Sequence, residues 1–388
     1  MTISIKVEYS HSKSFSTEVK GYFKIVLVPE RVTQAKNLHY IILLDTSGSM
    51  KGMKIEIAKK STLEILNKVP PYNYVTLITF SGQGGVNVIS EHSDVNSIDK
   101  EKVVESIVAE GTTPFFTTLS KAFEIVKKYN EPAYMLALTD GIPTDVTDVK
   151  AYESMTIPEN VKIYAFGIGD DYREEILKIL SDKSGGVFYH LQDPMEIEQR
   201  LPTSVATEIG AKGITVDIQS ASNAPIKLLN YQGPPVKLGV LEGAVRIYGE
   251  VSIPPNFEGE FLTVKVSYVD PVQDKVVEII KKVNLTKALD TNDFLSAINK
   301  DLTAEYQYYD LLNKYALQVQ AQNLVEATRT LNQLTQIAQQ TRRIEFLETT
   351  RRLGEAMEQT RRAGASIEQT KRLSKEVSSE VTKKLRGS

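Results

Sequence analysis

The pattern of apolar and polar positions divides the chain into three kinds of segment. Between residues 37 and 204, runs of consecutive aliphatic residues alternate with amphipathic stretches of helical period. Such runs are typical of strands buried on both faces of a parallel sheet, and such stretches are typical of the helices that cover it. This segment is therefore predicted to be a doubly wound α/β domain. The predicted strands cover residues 41–45, 74–80, 134–140 and 161–166, and the predicted helices cover residues 54–67, 99–109, 117–129 and 172–181.

The flanking segments, residues 1–36 and 205–286, have a different pattern. Apolar and polar residues alternate singly in short stretches that prolines and glycines separate, which is typical of antiparallel strands with one buried face. The first segment is too short to bury a core by itself. We therefore predict that the two segments together form one split antiparallel β-sandwich, into which the α/β domain is inserted.

After residue 286, glycine and proline become rare and helix-forming residues dominate. Residues 292–316 carry an apolar stripe with a spacing of three to four, and a second stripe runs from Leu324 toward Phe346. Residues 287–353 are therefore predicted to form a helical domain. The apolar content then falls, so residues 354–388 are predicted to be a basic Thr/Ser-rich tail that is partly mobile.

The composition of the chain excludes several kinds of site and segment. The chain has 388 residues, of which 24% are charged, and it contains no cysteine. The absence of cysteine excludes disulfides, thiolate metal sites and cysteine redox chemistry. The amino terminus lacks the apolar core of a signal peptide, and no run approaches the ~20 apolar residues of a transmembrane helix. The sequence therefore predicts a cytoplasmic protein that does not associate with membranes.

Three short motifs place oxygen-bearing side chains at the ends of predicted strands or in a loop. The first is Asp45-Thr46-Ser47-Gly48-Ser49, directly after four consecutive aliphatic residues, and the others are Gly111-Thr112-Thr113-Pro114 and Leu138-Thr139-Asp140-Gly141. Open α/β sheets bind their ligands at the carboxyl ends of the strands. Hydroxyl and carboxylate oxygens are hard ligands that suit Mg²⁺. Ser, Asp and Gly are also common in turns and caps, but three motifs in this order favour a metal site.

The order of the three motifs resembles the von Willebrand factor A (vWA) family with its metal-ion-dependent adhesion site. The resemblance implies that Ser47, Ser49 and Thr113 bind Mg²⁺, mostly directly, while Asp45 and Asp140 act largely through water. Thr113 is preferred to Thr112 because it directly precedes the proline of the motif. The resemblance also implies an open coordination position for an acidic residue of a protein partner.

Catalysis is not predicted. The motifs contain no general base beside a nucleophile, and the histidines are scattered singly along the chain at His11, His39, His92 and His190. The sequence therefore favours a binding protein rather than an enzyme.

A Thr-Arg/Lys-Arg-apolar repeat occupies the last part of the chain. It begins at Thr341, Thr350, Thr360 and Thr370, at intervals of nine, ten and ten residues. One interpretation is an amphipathic helix with a basic polar face. On one continuous helix, however, these intervals fall short of the roughly eleven residues of three turns, so the threonines would drift around it. The alternative is a set of phosphorylation sites for a Ser/Thr protein kinase, which a forkhead-associated (FHA) domain then recognises. The candidates are Thr341, Thr350, Thr360, Thr370, Ser374, Ser378 and Ser379.

Nucleic acid is a disfavoured partner, because the arginines of the tail are interleaved with glutamates and no aromatic residue follows Phe346. The whole layout resembles that of archaeal vWA proteins that associate with FHA-domain proteins. It predicts a non-enzymatic scaffold with a Mg²⁺ site and a phosphorylatable tail. The alternative is an adaptor or cochaperone of a MoxR-type AAA+ ATPase. Accessible threonines in the tail favour the scaffold, because an ATPase adaptor does not need them.

Overall fold

The computed structural model describes residues 3–82, 85–201, 204–205, 207–221, 224–362, 364 and 366–386. The strands that precede the α/β domain are β1 (Ile3–Tyr9), β2 (Lys13–Ser14), β3 (Val19–Pro29) and β4 (Thr33–Gln34). β1 and β3 pair antiparallel. Alternate side chains of the pair are buried, including Ile3, Phe23 and Ile25. The alternation in the sequence therefore gives these strands one face that must pack against another layer.

The next elements form the doubly wound domain. Its strands are β5 (His39–Asp45), β6 (Tyr74–Ser81), β7 (Gly85–Asp94), β8 (Ala133–Thr139), β9 (Val161–Ile168) and β10 (Val187–Leu191). Its helices are α1 (Met53–Lys68), α2 (Lys100–Glu105), α3 (Phe115–Tyr129), α4 (Val149–Ser154), α5 (Glu174–Ser184) and α6 (Glu196–Arg200), with a short 3₁₀ turn at Gly48–Met50.

The six strands lie in the order β10-β9-β8-β5-β6-β7. Neighbouring strands are parallel except β7, which is antiparallel to β6. Every residue of β5 is buried. Ile42 and Leu44 face a core that includes α1, and Ile41 and Leu43 face a core that includes α3 and α5. The aliphatic run forms a central strand because both of its faces are covered.

The second half of the sandwich follows. Its strands are β11 (Glu208–Ile209), β12 (Ala211–Ser220), β13 (Lys227–Leu228), β14 (Val236–Leu241), β15 (Val245–Ile253), β16 (Gly259–Asp270) and β17 (Lys275–Lys287). One sheet has the order β1-β3-β15-β13 and the other β14-β12-β16-β17-β2. Phe23 and Ile25 of β3 share one apolar core with Val216, Val264 and Val266 of the facing sheet. The prediction of a split sandwich around an inserted α/β domain is confirmed.

The two crossings between the sandwich and the α/β domain lie side by side. β4 pairs antiparallel with β11, with Thr33 opposite Ile209 and Gln34 opposite Glu208. The amide of Ala35 also donates to the carbonyl of Thr207 over 2.9 Å. The chain therefore enters and leaves the α/β domain through two adjacent segments that are hydrogen-bonded to each other.

The remaining elements are helices: α7 (Thr291–Ser296), α8 (Lys300–Gln320), α9 (Leu324–Thr341), α10 (Ile344–Arg362) and α11 (Ile367–Arg386). They bury a core of their own that also contains Tyr248 of β15. Tyr306 of α8 stacks on Tyr22 of β3, with ring centroids 4.4 Å apart. The helical region therefore packs on the outer face of the β1-β3-β15-β13 sheet. The prediction of a carboxyl-terminal helical region is confirmed.

Two predicted helices are interrupted in the structure. The stripe over residues 292–316 divides between α7 and α8, because the side chain of Asn299 accepts a hydrogen bond from the Leu302 amide and begins a new helix. The stripe that starts at Leu324 ends at Thr341, where Arg342 adopts a left-handed conformation with φ of 53°. The prediction that this second helix continues to Phe346 is wrong for that reason.

The predicted tail after residue 354 is largely helical where the structure describes it, and its partial mobility stays a prediction. α10 continues to Arg362, and α11 occupies residues 367–386. α11 buries an apolar stripe at every fourth position, formed by Leu373, Val377, Val381 and Leu385. The low apolar content of the tail conceals this stripe, because a narrow stripe at helical spacing is enough to dock a helix.

Among the described helices, none is both long enough and apolar enough to cross a membrane.

Candidate functional site

The residues of the three motifs lie together at the carboxyl edge of the six-stranded sheet. Asp45 is the last residue of β5, and Asp140 directly follows β8. The two strands are parallel neighbours, with Leu44 opposite Leu138. Their ends are therefore adjacent. Ser47 and Ser49 lie in the turn after β5, and Thr113 lies in the loop before α3.

Asp45 is fully buried and held from two sides. Its Oδ1 accepts a hydrogen bond from the Ser47 amide over 2.8 Å, and its Oδ2 accepts one from Thr139 Oγ1 over 2.5 Å. Burial raises the pKa of Asp45 to about 6, although the hydrogen bonds from Ser47 and Thr139 act in the opposite direction. Sequence analysis did not single out Thr139. Its signal is its position directly before Asp140, on the strand next to β5.

The serines connect the two acidic residues. The Oγ atoms of Ser47 and Ser49 lie 3.0 Å apart, and Ser49 Oγ donates to Asp140 Oδ1 over 2.7 Å. Ser47 and Asp140 are buried, whereas Ser49 is exposed. The site therefore has a buried floor and one hydroxyl at its open rim.

The hydroxyl of Thr113, and not that of Thr112, borders the space beside Asp45. A Cβ built on Gly141 would lie 2.8 Å from Thr113 Oγ1 and 3.7 Å from Asp45 Oδ2, so both atoms border the same small space. A Cβ on Gly82 would lie 2.1 Å from Thr112 Oγ1, so Thr112 packs against Gly82 instead. The structure thus brings together all five residues that the motifs predict as ligands.

Sequence analysis also missed Lys54, which lies in the first turn of α1. Its Nζ is 2.5 Å from Asp140 Oδ2. The only signal in the sequence is that a basic residue in the first turn of a helix opposes the helix dipole, so that a nearby acid is favourable. The lysine and Ser49 between them occupy both oxygens of the buried Asp140.

The donor set fits a hard divalent cation. Three hydroxyls and two carboxylates offer only oxygen, which Mg²⁺ prefers. Within the described residues, no group of three or more His, Cys, Asp or Glu side chains is placed to hold a metal ion. Metal binding at this edge of the sheet would therefore depend on the hydroxyls.

The histidines have hydrogen-bond partners outside this site. His11 bonds to Ser10, His39 to Thr76, His92 to Glu131 and His190 to Tyr172. The geometry thus provides no imidazole base for Ser47 or Ser49.

The repeat threonines of the tail face inward. Thr350, Thr360 and Thr370 are buried, and Thr341 is half-buried. Each donates its hydroxyl to the carbonyl four residues earlier in its helix, over 2.8 to 3.0 Å. The threonines would drift around the helix only if this segment were one continuous helix. Left-handed residues at Arg342 and Gly364 break it, and each break resets the helical phase.

The three candidate serines lie on the face of α11 that contacts the doubly wound domain. Ser374 Oγ donates to Glu174 Oε1 over 3.0 Å, and Ser378 donates to the same oxygen. Ser379 Oγ accepts the His190 amide of β10 over 3.1 Å. Burial raises the pKa of Glu174 above its usual range. α11 therefore covers the edge strand β10 and docks through hydroxyl groups.

The sheet order and the convergent oxygen-bearing side chains are those of a vWA domain. Residues 41–202 match the von Willebrand factor type A domain family. The structure of a von Willebrand factor type A protein from Catenulispora acidiphila has a TM-score of 0.71 and covers 90% of this chain and 89% of that chain. It is 16% identical, so it supports the fold alone.

The carboxyl-terminal helices relate the chain to a smaller group of vWA proteins. Residues 300–387 match the C-terminal domain of Archaellum regulatory network B (ArnB). The crystal structure of the ArnB paralog VWA2 from Sulfolobus acidocaldarius is 28% identical, has a TM-score of 0.85, and covers 100% of this chain and 99% of that chain. The protein is a vWA protein related to ArnB.

More distant curated relatives match a smaller part of the chain. Inter-alpha-trypsin inhibitor heavy chain H1 from Homo sapiens is 23% identical over 240 residues, which are 58% of this chain and 26% of the relative. Heavy chain H4 from Bos taurus is 25% identical over 224 residues, which are 50% of this chain and 24% of the relative. The chain spans about a quarter of the length of these relatives.

Proposed function

We propose that this protein is a non-enzymatic, cytoplasmic protein-binding scaffold that acts in archaeal motility repression. In this proposal its vWA site binds Mg²⁺, and its carboxyl-terminal helices are phosphorylated and then bound by an FHA-domain partner. The observation that carries the proposal is the joint occurrence, in one chain, of a vWA site and helices related to the ArnB C-terminal domain.

The metal site supports the proposal through its ligand chemistry. Ser47, Ser49 and Thr113 would hold Mg²⁺, with Asp45 and Asp140 acting through water. The bound ion would supply an open coordination position for a carboxylate of a partner. Because the hydroxyl ligands are neutral, the affinity for Mg²⁺ is expected to be modest.

The site is tested by isothermal titration of Mg²⁺ into the full chain and into Asp45→Asn. The asparagine keeps the size of the side chain and removes its charge. We expect the affinity to fall at least about tenfold, which corresponds to 1.4 kcal/mol. Equal Mg²⁺ binding by the variant would refute the assignment of Asp45.

The buried hydroxyls define how phosphorylation would act. A phosphate on Ser374 or Ser378 would add nearly two negative charges directly beside the Glu174 carboxylate. Like charges in a buried contact repel strongly. A kinase would modify these serines when α11 transiently detaches from the vWA domain. The phosphate would then prevent α11 from docking again. The released helix, with Thr370 no longer buried, would be available to an FHA domain.

The adaptor of a MoxR-type AAA+ ATPase is the second candidate. It is favoured by the burial of Thr350, Thr360 and Thr370 in the docked helices, because an adaptor needs no accessible threonine. The similarity of residues 300–387 to the C-terminal domain of ArnB favours the regulatory scaffold.

The experiment that separates the two candidates is a pull-down from native cells with the full chain, untreated or treated with phosphatase, in Mg²⁺ or in EDTA. The scaffold proposal expects an FHA-domain protein that is captured only by the phosphorylated chain. Capture of an AAA+ ATPase regardless of phosphatase treatment would favour the adaptor. Capture of the FHA-domain protein that depends on Mg²⁺ but not on phosphate would move its binding site from the tail to the vWA domain.

A further inference from the structure

Lys54 places a positive charge inside the proposed metal site. Its Nζ lies 2.5 Å from Asp140 Oδ2, and the Asp140 side chain has no exposed surface, whereas that of Lys54 is 31% exposed. The other oxygen of Asp140 accepts the hydroxyl of Ser49, which is itself one of the proposed ligands. The ammonium group therefore neutralises an acid that a metal ion would use.

The position of Lys54 is unfavourable without this acid. Lys54 is the second residue of α1, where the helix dipole presents its positive end. A cation there opposes the helix dipole, and the adjacent carboxylate of Asp140 offsets that cost. The other acid of the site, Asp45, is engaged by the Ser47 amide and Thr139.

We infer that Lys54 is an internal cation that occupies Asp140 in the metal-free protein and is displaced when Mg²⁺ binds. The inference rests on the Mg²⁺ binding proposed above. A Mg²⁺ ion that reaches Asp140 through water would lie close to the ammonium group, and the two cations would repel each other. Binding of the ion would therefore favour movement of the ammonium group toward solvent. Since Lys54 is already part-exposed at the rim, that movement needs only a change of its side-chain rotamers. Lys54 thereby lowers the affinity of the site for Mg²⁺ and stabilises the site when it is empty.

The first test is Lys54→Gln in the full chain, with the exposed Lys51 as the matched control. Lys51→Gln removes the same charge from the same segment, three residues away. Titration calorimetry should show at least about tenfold tighter Mg²⁺ binding for Lys54→Gln, because a close competing charge is lost. Lys51→Gln should change the affinity by less than about twofold, as expected for an exposed charge. Without Mg²⁺, Lys54→Gln should melt at a lower temperature than the wild type, and Mg²⁺ should raise its melting temperature more.

A second measurement uses the unmodified protein and does not depend on how the variant folds. Amine acylation followed by mass spectrometry reports how accessible each lysine is. Mg²⁺ should speed the labelling of Lys54 and leave that of Lys51 unchanged.

The outcomes separate this inference from the proposed function. Mg²⁺ binding that is equal or weaker in Lys54→Gln, or labelling of Lys54 that Mg²⁺ does not increase, would overturn the role of Lys54 while the metal site stands. If neither the wild type nor Lys54→Gln binds Mg²⁺, both the metal site and the inference are wrong. Binding by Lys54→Gln but not by the wild type would mean that Lys54 permanently replaces the ion, which would contradict both displacement and the proposed Mg²⁺ site of the wild type.

Discussion

Ser374 of α11 donates a hydrogen bond to Glu174 of α5 across the boundary between the carboxyl-terminal helices and the vWA domain, over 3.0 Å. Ser378, one helical turn later, donates to the same carboxylate oxygen. All three side chains are buried. The contact has one negative charge and two neutral donors, so it accommodates a hydroxyl but not a second anion.

The first prediction concerns this contact. Ser378→Asp should weaken the docking of α11 by about 2–3 kcal/mol, because a buried hydrogen bond is lost and a like charge faces Glu174. Ser366→Asp is the matched control. Ser366 is exposed, directly precedes α11, and accepts the Gln369 amide over 3.3 Å, and aspartate is also favourable at the start of a helix. Thermal unfolding that affects both variants equally would argue against a specific contact with Glu174.

The second prediction concerns the order of phosphorylation. Thr341 is half-buried and lines an open cavity of about 500 Å³, whereas Thr350, Thr360 and Thr370 are buried. A Ser/Thr kinase acting on the folded chain should therefore label Thr341 first. Mass spectrometry of early time points should locate the phosphate there. Equal initial rates at all four threonines would mean that the helices open faster than the kinase acts.

The third prediction tests the split sandwich. Phe23 is fully buried in the core that β3 shares with the later strands. Phe23→Ala should reduce the free energy of unfolding by about 3–5 kcal/mol. Val28 is on the same strand but is 39% exposed, so Val28→Ala should have an effect within about 0.5 kcal/mol. Urea unfolding measures both. A loss of unfolding free energy for Phe23→Ala as small as that for Val28→Ala would show that the core does not depend on the amino-terminal strands.

The fourth prediction concerns pH. Burial lowers the pKa of His190 to about 4, and the nearby charges of Lys375, Arg372 and Lys383 act in the same direction while Asp170 opposes them. A histidine with a lowered pKa in the folded state contributes stability that is present above its unfolded pKa of about 6.5 and is lost as the pH falls toward 4. The loss attributable to His190 should reach at most about 3 kcal/mol.

The comparison of wild type with His190→Gln isolates this effect. Other groups, such as Glu174, are present in both proteins and change their pH dependence alike. The pKa of Glu174 is raised by burial, so this residue contributes stability at low pH that is lost as the pH rises. The free energy of unfolding should fall less in His190→Gln than in the wild type between pH 6.5 and 4. Parallel curves would exclude a contribution from His190.

The sequence predicted the fold where one period dominates a long segment. The alternation in β3 allows one arrangement, because a shift of one residue would expose its apolar side chains. The aliphatic run of β5 requires a central strand that is covered on both faces. The motifs also lie together as predicted, because parallel strands end at one edge of the sheet. The ligand roles of Asp45, Ser47, Ser49, Thr113 and Asp140 stay predictions.

Other features depend on contacts that a local pattern does not contain. The narrow stripe of α11 becomes significant only because α8 is there to pack against it. The partnership of Lys54 with Asp140 joins residues 86 positions apart. The inward orientation of Thr350 and Thr360 depends on where the helix breaks fall. Each of these three features depends on packing between residues that are far apart in the sequence.

Phosphorylation is proposed to release α11 from the vWA domain. Hydrogen exchange of the full chain, phosphorylated by a Ser/Thr kinase and compared with the same sample after phosphatase treatment, tests it most directly. The account predicts that phosphate on Ser374, Ser378 or Ser379 removes exchange protection from residues 367–386, while β5 and β8 stay protected. Unchanged protection of residues 367–386 at full phosphate occupancy would contradict it.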